Sequence, residues 1–391
     1  MLLKDMSVSA IVAGFVAVLV GFASSVAIVF QAAAAAGASS EIIASWLLAL
    51  GIGMAATCIG LSWYYKAPII TAWSTPGAAL LAGSLQGLSI AEATGVFIFT
   101  AALGLIIGLS GMFERLTRLI PPSLASAMLA GILLQFGFAI FQSMQSEMLL
   151  VTIMCISYVI AKATVPRYAI LLVLVSGLVI VIAGGQLDLS HLELSITRPV
   201  WVSPEFSLSA MLGVGLPLLL VTMASQNIPG VAVIRASGYQ TPVSPIIVST
   251  SLSTLLLAPW GAFSINLAAI TAAICTGTEA HPDTKKRYIA GIAAGVSYLI
   301  AGLAGATVVA LFAAFPQTMI AALAGLALIS TIASNLQTTT ADPDYREAAV
   351  ITLLVTASGI SFFDIAAAFW GLIAGLITVL VQKIGQRFIS T

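Results

Sequence analysis

The residues able to do chemistry in this chain are few, and they sit in unusual company. Four short polar clusters interrupt otherwise apolar runs: Ser24, Ser25 and Gln31; Trp73-Ser74-Thr75-Pro76-Gly77; Ser225-Gln226-Asn227, followed by Ile228-Pro229-Gly230; and Phe263-Ser264-Ile265-Asn266-Leu267. Hydroxyls and amides hold ligands through hydrogen bonds and do not break covalent bonds unaided. Groups suited to bond breaking are scarce. The two histidines, His191 and His281, lie among polar neighbours, and the three cysteines, Cys58, Cys155 and Cys275, are widely spaced in apolar stretches. That pattern argues against a zinc site, a disulfide framework and a Ser-His-Asp arrangement, so neither an enzyme nor a cofactor is expected.

Two of the clusters share one grammar. Ala67-Pro68 precedes the first and Ala258-Pro259 the second. Each segment is expected to run extended for several residues and then turn helical at a polar residue. Ser74 or Thr75 suits a helix cap and Pro76 the first helical position; Ser264 or Asn266 is expected to cap the second helix. A helix start carries unpaired amides and a partial charge of about +0.5. Two such starts facing one another make an anion site without Lys or Arg. Thr75, Pro76 and Gly77 would form one tip, and Ser264, Asn266 and Leu267 the other. The extended stretches need hydrogen-bond partners that lipid does not offer, and each is a fitting partner for the other. Gln226 and Asn227 are expected to orient a ligand, because buried amides are costly unless paired. Trp73 and Phe263 either stack on a planar ligand or fill space. Ser24, Ser25 and Ser225 either touch the ligand or bond their own helix, as membrane-helix hydroxyls commonly do. Gln135 and Asn335 read as ties between helices, and Gly104 with Gly108 as a packing face.

The elements that must position these clusters follow from composition. Of 391 residues, 60% are hydrophobic and 7% charged, and the mean hydropathy is +1.13. An ordinary soluble domain carries about 25% charged residues, so lipid must cover much of this chain. Net charge is zero, and no basic stripe marks a nucleic-acid partner. The first apolar stretch, from about Met6 to Phe30, is too long for a cleaved signal and is expected to remain as a first helix. Charges divide the chain into twelve charge-free intervals; two of them, 236–278 and 288–341, are long enough for two spans each, giving fourteen. With the N-terminus in the cytoplasm, alternate loops place thirteen of fourteen Lys and Arg inside and only Arg198 outside, as the positive-inside rule requires. Both termini are then cytoplasmic.

The halves also resemble each other. Phe22-Ala23-Ser24 and Gly37 match Met223-Ala224-Ser225 and Gly238 at an offset of 201; Leu109-Ser110-Gly111, Pro122 and Gly131 match Leu303-Ala304-Gly305, Pro316 and Gly325 at an offset of 194. Seven spans per half is an odd number, so the second half enters from the opposite side. The expectation is an all-α membrane protein with a 7+7 inverted repeat: residues 1–187, an external loop 188–205, and residues 206–391. Spans 3 and 10 are the broken ones, each a short extended stretch plus a half-helix.

The chain resembles the benzoate:proton symporter family over essentially its whole length. The resemblance rests on Thr71-Ala72-Trp73-Ser74-Thr75-Pro76-Gly77, Ser225-Gln226-Asn227-Ile228-Pro229-Gly230 and Ser264-Ile265-Asn266-Leu267. More distantly it is similar to nucleobase:cation symporters and sulfate-type anion carriers. These resemblances imply a core domain of spans 1–4 and 8–11 and a gate domain of spans 5–7 and 12–14. They imply import of an aromatic carboxylate such as benzoate with a proton, by alternating access, in a bacterial inner membrane, by a monomer or homodimer. A nucleobase or inorganic-anion carrier of the same fold is the alternative. The nucleobase branch uses acidic residues on its eighth and tenth spans, where this chain has Ser225-Gln226 and Ile265-Asn266. A neutral, amide-lined site suits a carboxylate better than a pyrimidine. It also leaves the proton route open between span-end acids (Glu41, Glu92, Glu114, Glu279, Asp283, Asp364) and a substrate that carries its own proton.

Overall fold

The computed structural model describes residues 5–113, 121–187, 195–363 and 365–389. Lys4, Glu114, Arg115, Arg118, Asp364 and the first part of the expected external loop, including Asp188, His191 and Glu193, lie outside the described residues. The first half contains α1 (Val8–Ala35), α2 (Ser40–Tyr65), β1 (Thr71–Trp73), α3 (Thr75–Ser84), α4 (Ile90–Ser110), α5 (Pro122–Ser146), α6 (Met148–Thr164) and α7 (Ala169–Ala183). The second contains α8 (Leu208–Ala236), α9 (Val243–Leu257), β2 (Ile265–Leu267), α10 (Ile270–Thr276), α11 (Tyr288–Leu303), α12 (Gly305–Ala313), α13 (Gln317–Ala341), α14 (Arg346–Ala357) and α15 (Ala367–Ile389). By length and composition eight of these helices can cross a membrane, or nine if α11 and α12, bent by 60° at Ala304, count as one span. The other charge-bounded segments hold shorter helices: α3, α6, α7, α10 and α14.

Local chemistry sets the boundaries. Ser7 and Ser39 cap α1 and α2 through their hydroxyls, and Ser89 with Glu92 forms a reciprocal capping box at the start of α4. Lys66 closes α2 in a left-handed conformation (φ 52°), because the following Ala67 precedes Pro68 and is kept out of the helical region. The turns after α1 and α8 are alike. Gly37 and Gly238 both have positive φ, and both turns close by the same amide pattern: Ala38 to Ala33 and Tyr239 to Ile234. These pairs are 201 residues apart, the spacing read from the sequence. At the second offset the match slips by one residue: Pro121 and Pro316 are the caps, and α5 starts at Pro122 but α13 at Gln317.

Packing relies on small residues. α2 lies along α11 so closely that a Cβ on Gly302 would meet the Gly51 Cα and the Leu47 carbonyl, both at 3.1 Å. Gly104 and Gly108 do serve as a packing face, against Ser251 and Val248 of α9. The α2–α11 and α4–α9 contacts correspond to one another under a shift of seven helices, and α6–α7 correspond to α14–α15 under a shift of eight, the short α12 being the extra helix of the second half.

At the centre β1 and β2 pair antiparallel, Thr71 with Leu267, Ala72 with Asn266 and Trp73 with Ile265. The ladder extends through Ser74 N–H to the Ser264 carbonyl (3.0 Å) and Ala268 N–H to the Ile70 carbonyl (2.9 Å). Outward-facing amides find side chains instead. Thr71 N–H donates to Cys58 Sγ (3.1 Å), Ile265 N–H to Thr254 Oγ1 (3.0 Å) and Leu267 N–H to Asn227 Oδ1 (3.1 Å). Three of the ribbon's four outward-facing amides are thereby satisfied deep in the protein, where neither water nor lipid would do it.

Candidate functional site

Trp73, Thr75 and Pro76 emerge from the ribbon onto a cavity of about 1010 Å³. One wall comes from α1, the strand–helix crossings, α8 and Tyr298 of α11; the opposite wall comes from the end of α4, from α5, α6 and α7, and from one face of α13. Trp73 is fixed rather than free. Its Nε1–H donates to Ser25 Oγ (2.9 Å), Ser25 Oγ–H donates to the Gly21 carbonyl (2.8 Å), and Phe22 meets the indole edge-on at 4.9 Å. Ser24 likewise donates to the Gly21 carbonyl at 3.0 Å. Both serines therefore bond their own helix and still face the cavity.

The two helix starts differ. Ser74 caps α3: its Oγ accepts the Gly77 amide at 2.9 Å and its carbonyl the Ala78 amide. Pro76 has no amide, so this tip offers the cavity the Thr75 amide and hydroxyl. α10 starts later than the sequence suggested. Neither Ser264 nor Asn266 caps it, because residues 265–267 are committed to β2; the cap position is Ala269, without a side-chain bond. Ala268, Ala269 and Thr271 line the cavity, and the buried Thr271 hydroxyl has no partner among the described residues.

α8 supplies the third set. It is not broken at Pro229-Gly230 but widened before them: Met223–Asn227 forms a π-turn, and Met211–Gly215 forms another before Pro217. Each proline lacks the amide for the carbonyl four residues back and pushes its ring at that turn. A π-turn relieves the clash while the helix continues. The widened turn aims Ser225 and Gln226 at the cavity and Asn227 at β2. Gly230 lets α8 press on the strand, since a Cβ there would strike Leu267.

Of the residues expected at the site, the structure brings Ser24, Ser25, Trp73, Thr75, Pro76, Ser225 and Gln226 together around one space. Ser74, Gly77, Asn227, Ser264, Asn266 and Leu267 are buried in the frame that shapes it. Ser264 Oγ pairs with Thr222 Oγ1 at 2.9 Å, and Asn266 is fully buried with Nδ2 on the Ser264 carbonyl. Phe263 does not line the cavity; it is buried and packs between Trp46 and Phe97, both at 6.0 Å. Gln31 sits further along α1, half-buried and away from the cavity. No acidic side chain lines the cavity among the described residues, and Lys162 is the one charged group that does. The lining is thus largely apolar, with scattered hydroxyls and amides and a cation at Lys162.

Sequence comparison gives the family. A family model described as benzoate membrane transport protein, BenE, matches residues 4–381. The chain belongs to this family. It is 48% identical over 374 residues to the inner membrane protein YdcO of Escherichia coli (strain K12), covering 96% of each chain. It is 41% identical over 378 residues to the benzoate membrane transport protein of Acinetobacter baylyi, covering 97% of this chain and 96% of that one. Among solved structures, SLC26A9 superposes with a TM-score of 0.66 at 13% identity, over 98% of this chain and 67% of that one. The transmembrane domain of the cyanobacterial bicarbonate transporter BicA gives 0.55 at 12%, over 97% and 98%. At such identities the likeness is one of fold. This BenE-family chain is a multi-pass protein of the bacterial inner membrane, and a transport protein rather than an enzyme.

Sequence reasoning missed several lining residues: Thr271, Tyr298, Tyr158, Lys162 and the face of α13. Asn335, read as a helix tie, donates to the Thr331 carbonyl of its own helix at 2.7 Å and lines the cavity. The spacing Ser330, Thr331, Ser334, Asn335, Thr338 was the available signal, since it puts five polar side chains on one helical face.

Proposed function

We propose that this protein imports an aromatic carboxylate, benzoate first among candidates, together with a proton by alternating access. The observation that carries the reading is the cavity's lining: one fixed indole, a capped helix start, neutral amides and hydroxyls, and no carboxylate among the described residues. Trp73 supplies a ring face, Thr75 the donors at the α3 tip, and Gln226 with Ser24, Ser25 and Ser225 the surrounding polar groups. The name of the Acinetobacter relative supports benzoate as the substrate.

The proposed architecture is a 7+7 inverted repeat. α1–α4 with the ribbon and α8–α11 form the core, and α5–α7 and α13–α15 form the gate; the short α12 packs on α2 and goes with the core. Three observations support it: the matching turns at Gly37 and Gly238, the helix contacts that recur between the halves, and a cavity lined by helices of both groups. The positive-inside reading puts both termini, and the cavity end marked by Phe113, Pro122, Lys162 and Pro166, in the cytoplasm. The conformation is then inward-facing. With no acid among the described residues at the cavity, the simplest coupling has the substrate carry its own proton.

The test is uptake of labelled benzoate into proteoliposomes under an imposed pH gradient, with empty liposomes correcting for passive entry of the neutral acid. Accumulation above that control, abolished by a protonophore, is the expected result; equal uptake with and without protein sinks the proposal. Excess uracil, bicarbonate and sulfate should compete poorly. Gln226→Ala should raise KM about tenfold, or ~1.4 kcal/mol, with little change in melting temperature. Asn266→Ala should do the reverse, because Asn266 is sealed in the frame.

A further inference from the structure

The cavity's outer part holds a second cluster that the inner site does not use. Tyr158 and Lys162 lie one turn apart on α6, and both line the cavity. Across from them α13 presents Ser330, Thr331, Ser334, Asn335 and Thr338. Tyr158 is buried, and its hydroxyl lies 3.3 Å from Ser330 Oγ, which ties the two helices at that level. In the fourteen-span reading α6 and α13 run in the same direction. One turn toward the open end then sets the Lys162 ammonium level with Ser334 and Asn335. Ser334 and Thr338 donate their hydroxyl protons to carbonyls of their own helix (Thr331 and Ser334, both at 3.0 Å). Asn335 commits one amide hydrogen to the Thr331 carbonyl and has a second to give. Lys162 is exposed, so it is hydrated and free to sweep the mouth.

We infer that Lys162, with the amide of Asn335, forms an outer carboxylate site at the mouth of the cavity, distinct from the inner site at Trp73 and Thr75. It rests on the reading that the cargo is an anion. A cation in a cavity with no acid among its described lining residues raises the local concentration of anions and steers them along its wall. The α13 face continues that path inward as a polar strip on which a carboxylate stays hydrated or hydrogen-bonded. The inner site then selects the ring, and the outer site the charge.

The experiment compares wild type, Lys162→Gln and Lys162→Arg in proteoliposomes, measuring initial uptake rates at about 20 mM and about 300 mM salt, where screening lengths differ severalfold. Benzoate, bicarbonate and sulfate are each used as the labelled anion. For the anion that wild type carries, Lys162→Gln should raise KM about tenfold at low salt, with kcat within about twofold. Its KM should be nearly flat with salt where wild type's climbs, and Lys162→Arg should restore both values. Asn335→Leu should raise KM less and leave the salt dependence in place. If benzoate is carried and Lys162→Gln keeps the wild-type KM and salt slope, the outer site does not exist, although the substrate reading stands. If bicarbonate or sulfate is carried instead and shows the Lys162-dependent salt slope, the outer site stands and the aromatic substrate falls.

Discussion

The two strand–helix crossings are made from similar words and built differently. In β1–α3 the strand passes straight into the helix. Ser74 is both the end of the ladder and the helix cap, and the ten-residue α3 is closed on itself at its start. In β2–α10 two residues separate strand from helix, the helix has seven residues, and no side chain caps it. That crossing is secured from elsewhere. Asn227 and Thr254 hold the strand, and Arg287 grips the far end of the helix. Arg287 is only 7% exposed; it donates from Nη1 to the Thr276 carbonyl at 2.6 Å and from Nε to the His281 carbonyl at 2.7 Å. Its charge lies at the negative end of α10. One tip is thus set by its own sequence, and the other by distant residues that leave its first amides and the Thr271 hydroxyl open. A transporter gains from such asymmetry, because a tip held at its back can answer a ligand at its front.

The strongest way to break this comparison is at the anchor. Arg287→Gln removes charge-assisted bonds to buried carbonyls, each worth about 1.5–3 kcal/mol. The expected result is a loss of about 2–3 kcal/mol in thermal or denaturant unfolding, together with weaker substrate binding as α10 loosens. A loss no greater than that of a simple cap deletion would mean that α10 is not held from its C-terminal end. The cap deletion itself is the next test. Ser74→Ala should cost about 1 kcal/mol, with Ser74→Thr recovering most of it. The same measurement on Ser264→Ala should show no cap-like loss at α10, since Ser264 belongs to the ladder and to Thr222.

Why one crossing was legible and the other was misread has a physical basis. Ala67-Pro68 and Ala258-Pro259 marked both broken segments, because proline constraints are local and act on immediate neighbours. Ser74-Thr75-Pro76 announced a helix start for the same reason. Asn266 carried the same local appearance of a cap. Its role was decided by pairing with Ala72, almost two hundred residues away, which no local signal reveals. The ribbon was foreseeable only because extended backbone in a membrane must find some partner. Pro229-Gly230 did not by itself decide the course of its helix; whether a proline breaks a helix or opens a π-turn depends on what packs around it, here Leu267 against Gly230. The apolar runs of the first helices and the correspondence of Gly37 with Gly238 followed from sequence alone, whereas the capping serines Ser7, Ser39 and Ser89 did not stand out among many serines. The cavity wall on α13 did not, because a polar helical face is equally suited to another helix, to water or to a ligand until its neighbours are known.

The smallest expected effect is also the sharpest probe of the open tip. Thr271→Val exchanges a hydroxyl for a methyl group of nearly the same size. That hydroxyl is buried and has no partner among the described residues, a state that ordinarily costs about 1–3 kcal/mol in an apolar setting. Its removal should therefore leave stability unchanged or raise it by up to ~1 kcal/mol, which is opposite in sign to the Ser74→Ala result. Substrate affinity should nevertheless fall a few-fold, because the ligand would lose the donor that no protein group uses. Thermal unfolding with and without ligand reads both effects on one sample. A variant less stable than wild type would mean that Thr271 already has a partner within the fold, and that α10 is closed in its own way. A variant stabilised and unaltered in affinity would leave the open tip without a use in binding.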